Sequence, residues 1–290
     1  DEQKPGISIT KSLNQFVMNQ KPFILTIIAL LSLFISCSSD REQAVQNNSI
    51  QHMSVSDATL DSLINRMTLE EKLNLIHASS SFTSGGVPRL GIPELVFSDG
   101  PHGVRHEHGR GWYALEDADD EATYLPVGIC LASTWNKDLG YDYGEVLGNE
   151  AKERGKNVLL GPGINIIRSP LNGRNFEYLS EDPYLTGVMG VGYVKGLQDQ
   201  GVAACPKHYT ANNQETDRHN INAIISKRAL HEIYLPAFKA VVQDGGAWSV
   251  MGAYNKVNGQ YATHREYLVY EEWKCEWGDD AVLLSDAGWL

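Results

Sequence analysis

The stretch Val202-Ala-Ala-Cys-Pro-Lys-His-Tyr209 decides the fold, because a short apolar run passes directly into Lys207 and His208. A continuous apolar run of this length is typical of a strand that is buried on both faces of a parallel sheet. Residues that follow such a strand lie at the carboxyl edge of the sheet, where α/β barrels place their active sites. The stretch therefore predicts a buried strand that presents Lys207 and His208 to a site.

The same change from apolar to polar residues occurs after other predicted strands. They are Leu95–Phe97 before Ser98-Asp-Gly-Pro-His-Gly-Val-Arg105, Ser249–Ala253 before Tyr254 and Asn255, and Ala281–Leu284 before Ser285 and Asp286. Val158–Leu160 is a further predicted strand. Because several strand ends carry polar side chains in the same direction, we expect these side chains to converge.

Helical patterns separate the strands. Lys227–Gln243 carries one apolar stripe and predicts a single helix, and Ser180 is expected to cap another helix with Pro183 in its first turn. Alternation of strands and helices predicts an α/β fold with a parallel sheet, here a (β/α)8 TIM-like barrel. Neither a Gly-x-Gly-x-x-Gly motif after a strand nor a Walker loop is present, which disfavours a nucleotide-binding sheet.

A capping box at Thr68–Glu71 predicts a helix near the start of the folded region, with its apolar residues turned inward. These residues are Leu69, Leu73 and Ile76.

The amino-terminal part of the chain reads as an export signal. Lysine followed by the apolar run Phe23–Ile35 and then Cys37 is similar to a lipoprotein-type signal peptide at about residues 18–37. An ordinary signal peptide with an incidental cysteine is the alternative. We expect a leader at residues 1–37 that is lipidated at Cys37, a flexible tether at 38–56 and a folded domain at 57–290. The expected location is the periplasm or outer membrane of a bacterium, with membrane contact only through the lipid.

Composition narrows the classes of function. The net charge of −12 comes from dispersed acidic residues and argues against nucleic-acid binding. Cys130, Cys205 and Cys275 have no zinc or redox spacing and are expected to be small buried hydrophobes. A metal site is disfavoured, because the histidines of the Gly-punctuated loop lack ligand spacing. These histidines are His102, His106 and His108. No cofactor is expected.

The polar residues at the strand ends suit sugar chemistry, which needs carboxylates, cationic donors and aromatic walls. Candidates to bind sugar hydroxyls are Asp99, Arg174, Lys207, His208, Arg218 and Tyr254. Hydrolysis of a glycosidic bond also needs an attacking carboxylate and an acid, and Asp286 is the candidate for attack. Lys207 and Arg174 are expected to lower the pKa of Asp286.

Structural roles remain open for several of these residues. Asp99 could be a turn residue, Lys207-His208 a satisfied core pair and Tyr254 a core aromatic. Arg174 could form a structural bridge with Glu177 or Glu181. As for the acid, Glu177 and Glu215 are candidates, although Glu177 is better suited to orient Arg174.

Long segments of the chain, over roughly residues 57–290, resemble glycoside hydrolase family 3 in its β-glucosidase branch. The matching segments are Ser98–Arg105, Val158–Arg168, Gly173–Tyr184, Lys207–Tyr209, Asn213–Arg218, Ser249–Gly259 and Ser285–Asp286. The resemblance implies that Asp286 is the nucleophile of a retaining reaction and that Asp99 grips the distal hydroxyls of a terminal sugar. It also implies that Arg174, Lys207 and His208 bind the other edge of the sugar. In the same family pattern Arg218 lies behind these three residues, Met251 lines the floor and Tyr254 lies near the nucleophile.

The chain departs from the family pattern after Asp286, where Ala287-Gly288-Trp289 stands in place of an immediate tryptophan. Trp277–Ala281 is also off pattern, because an aromatic residue and a glycine are expected near its end. In this branch the acid/base glutamate comes from a later domain. We expect that domain, and the last strand and helix of the barrel, to be missing from this sequence.

Two classes of function follow. The first is hydrolysis of terminal β-D-glucosyl residues from a β-glucoside or oligosaccharide, with a β-xylosidase as the alternative of the same family. The second is a non-catalytic sugar-binding lipoprotein from a truncated gene.

The signal pattern generates a prediction about Cys37. Each buried methylene of an acyl chain adds about 0.8 kcal/mol to membrane binding, so a multiply acylated cysteine anchors the protein firmly. Cells fed labelled palmitate should label the wild-type protein but not Cys37→Ala. Equal label in the two proteins would contradict a lipid on Cys37.

Overall fold

The computed structural model describes residues 56–113, 115–116, 121–278 and 281–286. The predicted leader, Cys37 and the tether up to residue 55 lie outside these residues, as does the segment that follows Asp286. Within the described ranges, no helix is long and apolar enough to cross a membrane.

The described chain alternates strands and helices. The strands are β1 (Ala78–Ser80), β2 (Thr83–Ser84), β3 (Phe97–Asp99), β4 (Val158–Leu160), β5 (Ala203–Ala204), β6 (Lys207–Tyr209), β7 (Asn222–Ala223), β8 (Ser249–Gly252), β9 (Lys256–Val257), β10 (Gln260–Tyr261) and β11 (Val282–Leu284). The α-helices are α1 (Asp57–Arg66), α2 (Leu69–Leu75), α3 (Gly128–Ala132), α4 (Lys137–Glu153), α5 (Pro183–Gln198), α6 (Lys227–Ala229) and α7 (Pro236–Gln243). Short 3₁₀ turns lie at Pro88–Leu90, Asn175–Glu177 and Ala262–His264, and π-helical segments at Leu230–Tyr234 and Tyr267–Trp277.

Two parallel three-stranded sheets form the centre of the fold, in the orders β3-β4-β5 and β6-β8-β11. They meet at Cys205-Pro206, where the Cys205 amide donates to the Leu159 carbonyl at 3.1 Å and the Met251 amide donates to the Pro206 carbonyl at 2.9 Å. The strands therefore follow one another in chain order. Parallel crossovers are right-handed, so this order places the connecting helices on one face of the sheets. The predicted α/β fold with parallel strands is confirmed, and the described strands do not close into a ring.

The two faces of the strands bury different clusters, because side chains alternate along a strand. Leu159, Ala204 and Val250 belong to the large core that packs against the helices. A second cluster contains Phe82, Val158, Leu160, Cys205 and Met251, with Phe97 and Leu284 packed against it. Asp99 and Asp286 lie two residues beyond Phe97 and Leu284, so the alternation directs both carboxylates to the side of this inner cluster.

Helices α4 and α5 approach closely at glycines. A Cβ on Gly144 would lie 2.1 Å from the Tyr193 carbonyl oxygen, and one on Gly196 would lie 2.0 Å from the Tyr141 carbonyl oxygen. Neither position can carry a side chain without moving the two helices apart.

Several details of the predicted helices are corrected. Asp182, not Ser180, caps α5, since its Oδ1 accepts from the amides of Tyr184 and Leu185 at 2.7 and 3.0 Å, and Pro183 lies in the first turn as expected. The predicted helix Lys227–Gln243 is divided by a π-helical segment before Pro236, where the Leu235 amide donates to the Leu230 carbonyl five residues back. Proline has no amide proton and cannot continue the ordinary hydrogen-bond ladder.

The capping box of α2 is confirmed, because the Thr68 amide donates to Glu71 Oε2 at 2.9 Å and the Glu71 amide to Thr68 Oγ1 at 3.2 Å. The inward orientation of its apolar residues is wrong. Leu69, Leu73 and Ile76 are 72, 49 and 79% exposed, since none of the described elements covers this face. Burial of the cysteines is confirmed for Cys205 only; Cys130 and Cys275 are exposed.

The two-faced packing predicts a stability difference between two leucines. Leu159 is fully buried between β4 and the helices, whereas Leu171 is 91% exposed. Leu159→Ala should lower the free energy of unfolding by about 2–5 kcal/mol, and Leu171→Ala should change it by less than about 0.5 kcal/mol. Urea unfolding measures both. Equal effects would contradict the assignment of Leu159 to the core.

Candidate functional site

The carboxyl ends of the parallel strands bring the predicted site residues to one end of the fold. Asp99 is the last residue of β3 and pairs with Leu160, the last residue of β4. Met251 of β8 pairs with Lys207 on one side and with Leu284 of β11 on the other. Met251 is 4% exposed and belongs to the inner cluster, a position that fits the expected floor.

Asp99 and Lys207 form an ion pair across this end. Lys207 is 2% exposed, and its Nζ lies 2.7 Å from Asp99 Oδ1, which also accepts the Gly100 amide at 2.9 Å. Burial alone would raise the pKa of Asp99, but the Lys207 ammonium outweighs it and the net pKa is lowered. Burial alone would lower the pKa of Lys207, and the Asp99 carboxylate raises it. Asp99 is therefore a strand-end residue and one half of an ionised pair.

Arg174 lies between two glutamates in the loop after β4. Its guanidinium is 2.5 Å from Glu177 Oε1 and 3.9 Å from Glu215 Oε1. Burial would lower the pKa of Arg174, and the charge of Glu177 contributes most to raising it. The expected contact between Arg174 and Glu177 is confirmed, and the alternative pairing of Arg174 with Glu181 is not observed.

Glu215 links Arg174 to the other arginine of the site. Its Oε2 lies 2.9 Å from Arg218 Nη1, and the Arg218 guanidinium carbon lies 4.7 Å from the centre of the Tyr254 ring. The Tyr254 hydroxyl hydrogen-bonds to Asp286. Burial, the charge of Asp286 and this hydrogen bond raise the pKa of Tyr254, so it remains a neutral phenol that donates to the carboxylate. Tyr254 is thus part of the site as well as a buried aromatic.

His208 occupies the centre of the site and is 1% exposed. The side-chain amide of Asn165 holds both polar groups of the His208 backbone. Asn165 Nδ2 donates to the His208 carbonyl, and the His208 amide donates to Asn165 Oδ1, each at 2.9 Å. Nε2 lies 3.1 Å from Arg174 Nη2 and 3.6 Å from Asp286 Oδ2. Burial lowers the pKa of His208 well below its usual value, and Arg174 and Lys207 lower it further, so the imidazole is neutral.

Sequence reasoning did not single out three residues that support this arrangement. Asn165 braces His208, and Tyr178 and Asn212 are buried beside its ring. Asn165 and Tyr178 lie in segments that carry the family resemblance, and Asn212 lies directly before another. Their roles depend on contacts between residues 30 or more positions apart, which no local pattern reveals.

The loop histidines do not form a metal centre in the described structure. The His102 ring packs edge-on against Tyr124 and Phe176, at centroid distances of 5.0 and 5.6 Å. His108 packs against Phe82 instead, at 4.2 Å. Among the residues described, no three His, Cys, Asp or Glu side chains are grouped so that they could hold a metal ion.

The ion pair of Asp99 predicts the effect of Lys207→Met. Burial raises the pKa of Asp99, and the Lys207 ammonium lowers it. Because the substitution removes the ammonium, the pKa of the Asp99 carboxyl group should rise. Titration of ¹³C-labelled aspartate by NMR measures the shift. Lys195→Met, a change on the exposed surface of α5, should leave the pKa of Asp99 where it is. An unchanged pKa of Asp99 in Lys207→Met would contradict the conclusion that Lys207 lowers it.

Comparison with known proteins places the chain in a family. Residues 25–290 match the family model described as glycosyl hydrolase family 3 N terminal domain. A β-glucosidase of Bacteroides ovatus is 49% identical over 272 residues, covering 92% of this chain and 36% of that protein. An exo-α-(1→6)-L-arabinopyranosidase of Bifidobacterium longum is 42% identical over 236 residues, covering 81% of this chain and 31% of that protein.

Solved structures of β-glucosidases are also similar to this chain. The structure of β-glucosidase 3B from Thermotoga neapolitana in complex with glucose has a TM-score of 0.74 and 43% identity, covering 79% of this chain and 34% of that one. The chain spans about a third of the length of these relatives. With the family model matched over most of its length and its strand ends gathering the expected residues, the chain belongs to glycosyl hydrolase family 3, in the region of the N-terminal domain.

Proposed function

We propose that the protein carrying this chain is an exo-acting, retaining β-glucosidase. The observation that carries the proposal is the placement of Asp286. This carboxylate follows β11 at the carboxyl end of the parallel strands, where it receives the hydrogen bond of Tyr254 and lies 3.6 Å from His208. A carboxylate oriented by the hydroxyl of Tyr254 in a polar site suits attack on a sugar.

In the proposed mechanism, an oxygen of Asp286 attacks the anomeric carbon while the bond to the leaving oxygen breaks. A glycosyl ester forms, and water then hydrolyses it with overall retention. Tyr254 holds the attacking carboxylate in place. Sugar hydroxyls bind Asp99 at the distal edge and Arg174, Lys207 and His208 at the other edge, with Arg218 behind them and Met251 beneath.

The reaction also needs an acid to protonate the leaving oxygen, which contributes about 10²–10⁴-fold to the rate. Glu177 and Glu215 are each paired with arginine, an arrangement that orients cations rather than delivering a proton. We place the acid/base glutamate in a later domain. The lengths of the relatives leave room for such a domain, because this chain spans about a third of them.

The same proposal extends to the architecture. Strands in chain order with helices on one face are the arrangement of a (β/α)8 barrel, and residues 57–290 are proposed to form the larger part of one. We also propose that residues 1–37 are a leader lipidated at Cys37, that residues 38–56 are a tether, and that the protein is an exported lipoprotein.

A β-linked pentopyranoside such as a xyloside is the second candidate substrate. Two relatives from Bifidobacterium species, named exo-α-(1→6)-L-arabinopyranosidases, are about as similar to the chain as several β-glucosidases are, and the sugar in their name is, like xylose, a pentopyranose. A pentopyranoside lacks the hydroxymethyl group of glucose. Comparing the specificity constants for an aryl glucoside and the matching xyloside distinguishes the two candidates.

The nucleophile assignment predicts the behaviour of Asp286→Asn in the full-length protein. An amide cannot form the glycosyl ester, so turnover of an aryl β-glucoside should fall by several orders of magnitude while glucose still binds. Asp61→Asn, on the exposed surface of α1, is the matched control and should keep wild-type activity.

Steady-state kinetics and calorimetric titration with glucose provide the two measurements. Retention of more than about a tenth of the activity in Asp286→Asn, a barrier change below about 1.4 kcal/mol, would contradict the assignment. Binding of glucose without turnover in the wild-type full-length protein would instead support a non-catalytic sugar-binding role.

A further inference from the structure

We propose that Tyr178 and Asn212 are positioning residues that fix the tautomer of His208, so that its proton lies on Nδ1 and Nε2 accepts the hydrogen bond of Arg174. The tautomer assignment stands on the contacts alone, and its consequence for catalysis rests on the proposed function.

The Arg174 contact determines the state of Nε2. A guanidinium group has only donors, so Nη2 of Arg174, at 3.1 Å, can hydrogen-bond to Nε2 only if that nitrogen carries its lone pair. The pKa of His208 is lowered by its burial and by the neighbouring cations, which are Arg174, Lys207 and Arg218. A neutral imidazole with an unprotonated Nε2 carries its single proton on Nδ1.

Tyr178 accepts that proton in a hydrogen bond. Its hydroxyl oxygen lies 3.3 Å from His208 Nδ1, and its own proton has an acceptor in the Asn212 carbonyl at 3.3 Å. Asn212 Nδ2 donates back to the same oxygen at 3.1 Å and orients it. Tyr178 is completely buried, and this burial raises its pKa, so its hydroxyl keeps the proton that it donates to Asn212.

The chain of hydrogen bonds thus runs from His208 Nδ1–H to the Tyr178 hydroxyl and on to the Asn212 carbonyl. All three residues have 1% exposure or less, so water cannot replace a lost partner. Without the Tyr178 oxygen, Nδ1–H would be a buried donor with no acceptor, which costs about 1–3 kcal/mol. The other tautomer would then gain population, because its Nε2–H can donate to Asp286 although it loses the Arg174 contact.

The tautomer matters because of Asp286. Its Oδ2 is 3.6 Å from Nε2, close enough to become a hydrogen-bond partner if Nε2 carried the proton and the two groups moved slightly together. A hydrogen bond from His208 would draw electron density from the attacking carboxylate and compete with Tyr254 for it. With the proton on Nδ1, the single lone pair of Nε2 accepts from Arg174, and the imidazole presents no proton to Asp286. The attacking carboxylate then keeps Tyr254 as its donor.

The test uses the full-length protein with ¹⁵N-labelled histidine. The sequence has nine histidines, and the His208 signals are assigned by their loss in His208→Gln. Protonated and unprotonated ring nitrogens resonate in separate regions of the spectrum. We expect the wild type to show an unprotonated Nε2, and Tyr178→Phe to show a measurable fraction of the proton on Nε2.

Tyr178→Phe should also lower kcat/KM for an aryl glucoside with a very acidic phenol by about tenfold or more. This substrate needs little help from an acid, so its rate reports the attack by Asp286. Tyr209→Phe is the matched control: Tyr209 is 1% exposed, and its hydroxyl donates to the Leu268 carbonyl on the helix side of the strand. It should keep the wild-type tautomer and rate.

A proton on Nε2 in the wild type would overturn the inference, and this measurement does not depend on whether Tyr178→Phe folds. An unchanged tautomer in folded Tyr178→Phe would overturn the role of Tyr178, and a changed tautomer with an unchanged rate would overturn the link to Asp286. A wild-type protein without glycosidase activity would contradict the proposed function while the tautomer could still be read.

Discussion

The pairing of buried and partly buried charges at the strand ends is the constraint on which the site depends. Isolated ions are costly to remove from water, and they are tolerated when each has a partner. Lys207 is paired with Asp99, and Arg174 lies between Glu177 and Glu215. His208, at the centre, is neutral. The result is a fixed set of donors and acceptors rather than a set of mobile surface charges, as recognition of sugar hydroxyls requires.

The fold supplies this set because the parallel strands of the two central sheets run in the same direction and end on the same side. Alternation along β3 and β11 directs Asp99 and Asp286 to the inner face, while Leu159 and Val250 anchor the strands to the helices. Asp99 on β3 and Asp286 after β11 thus lie at opposite ends of the strand order. Lys207 and His208, on β6, lie between them.

The strands and the residues that follow them could be predicted from sequence, because apolar runs of this length and their abrupt ends are local features. Helix details were predicted less well. Ser180 and Asp182 are both good caps, and only the geometry before Pro183 selects Asp182. The apolar face of α2 was assigned inward by its periodicity, which shows that a face is apolar but not what covers it.

Contacts between distant segments could not be predicted at all. Glu215 joins two arginines and Tyr178 joins His208 to Asn212, and both arrangements depend on loops that meet only in the folded chain. Sequence alone also left Glu177 as either an acid or an orienting group, and the ion pair with Arg174 favours the second role.

The central claim, that Asp286 attacks a sugar held at these strand ends, is tested most directly by trapping the glycosyl ester. The full-length protein would be incubated with an activated 2-deoxy-2-fluoro-β-glucoside, whose ester is hydrolysed slowly. The protein would then be digested and the labelled peptide sequenced by mass spectrometry. The account predicts one added sugar, on the peptide that contains Asp286 and on that residue. A label on Glu177, Glu215 or Asp99, or turnover without any ester, would contradict it.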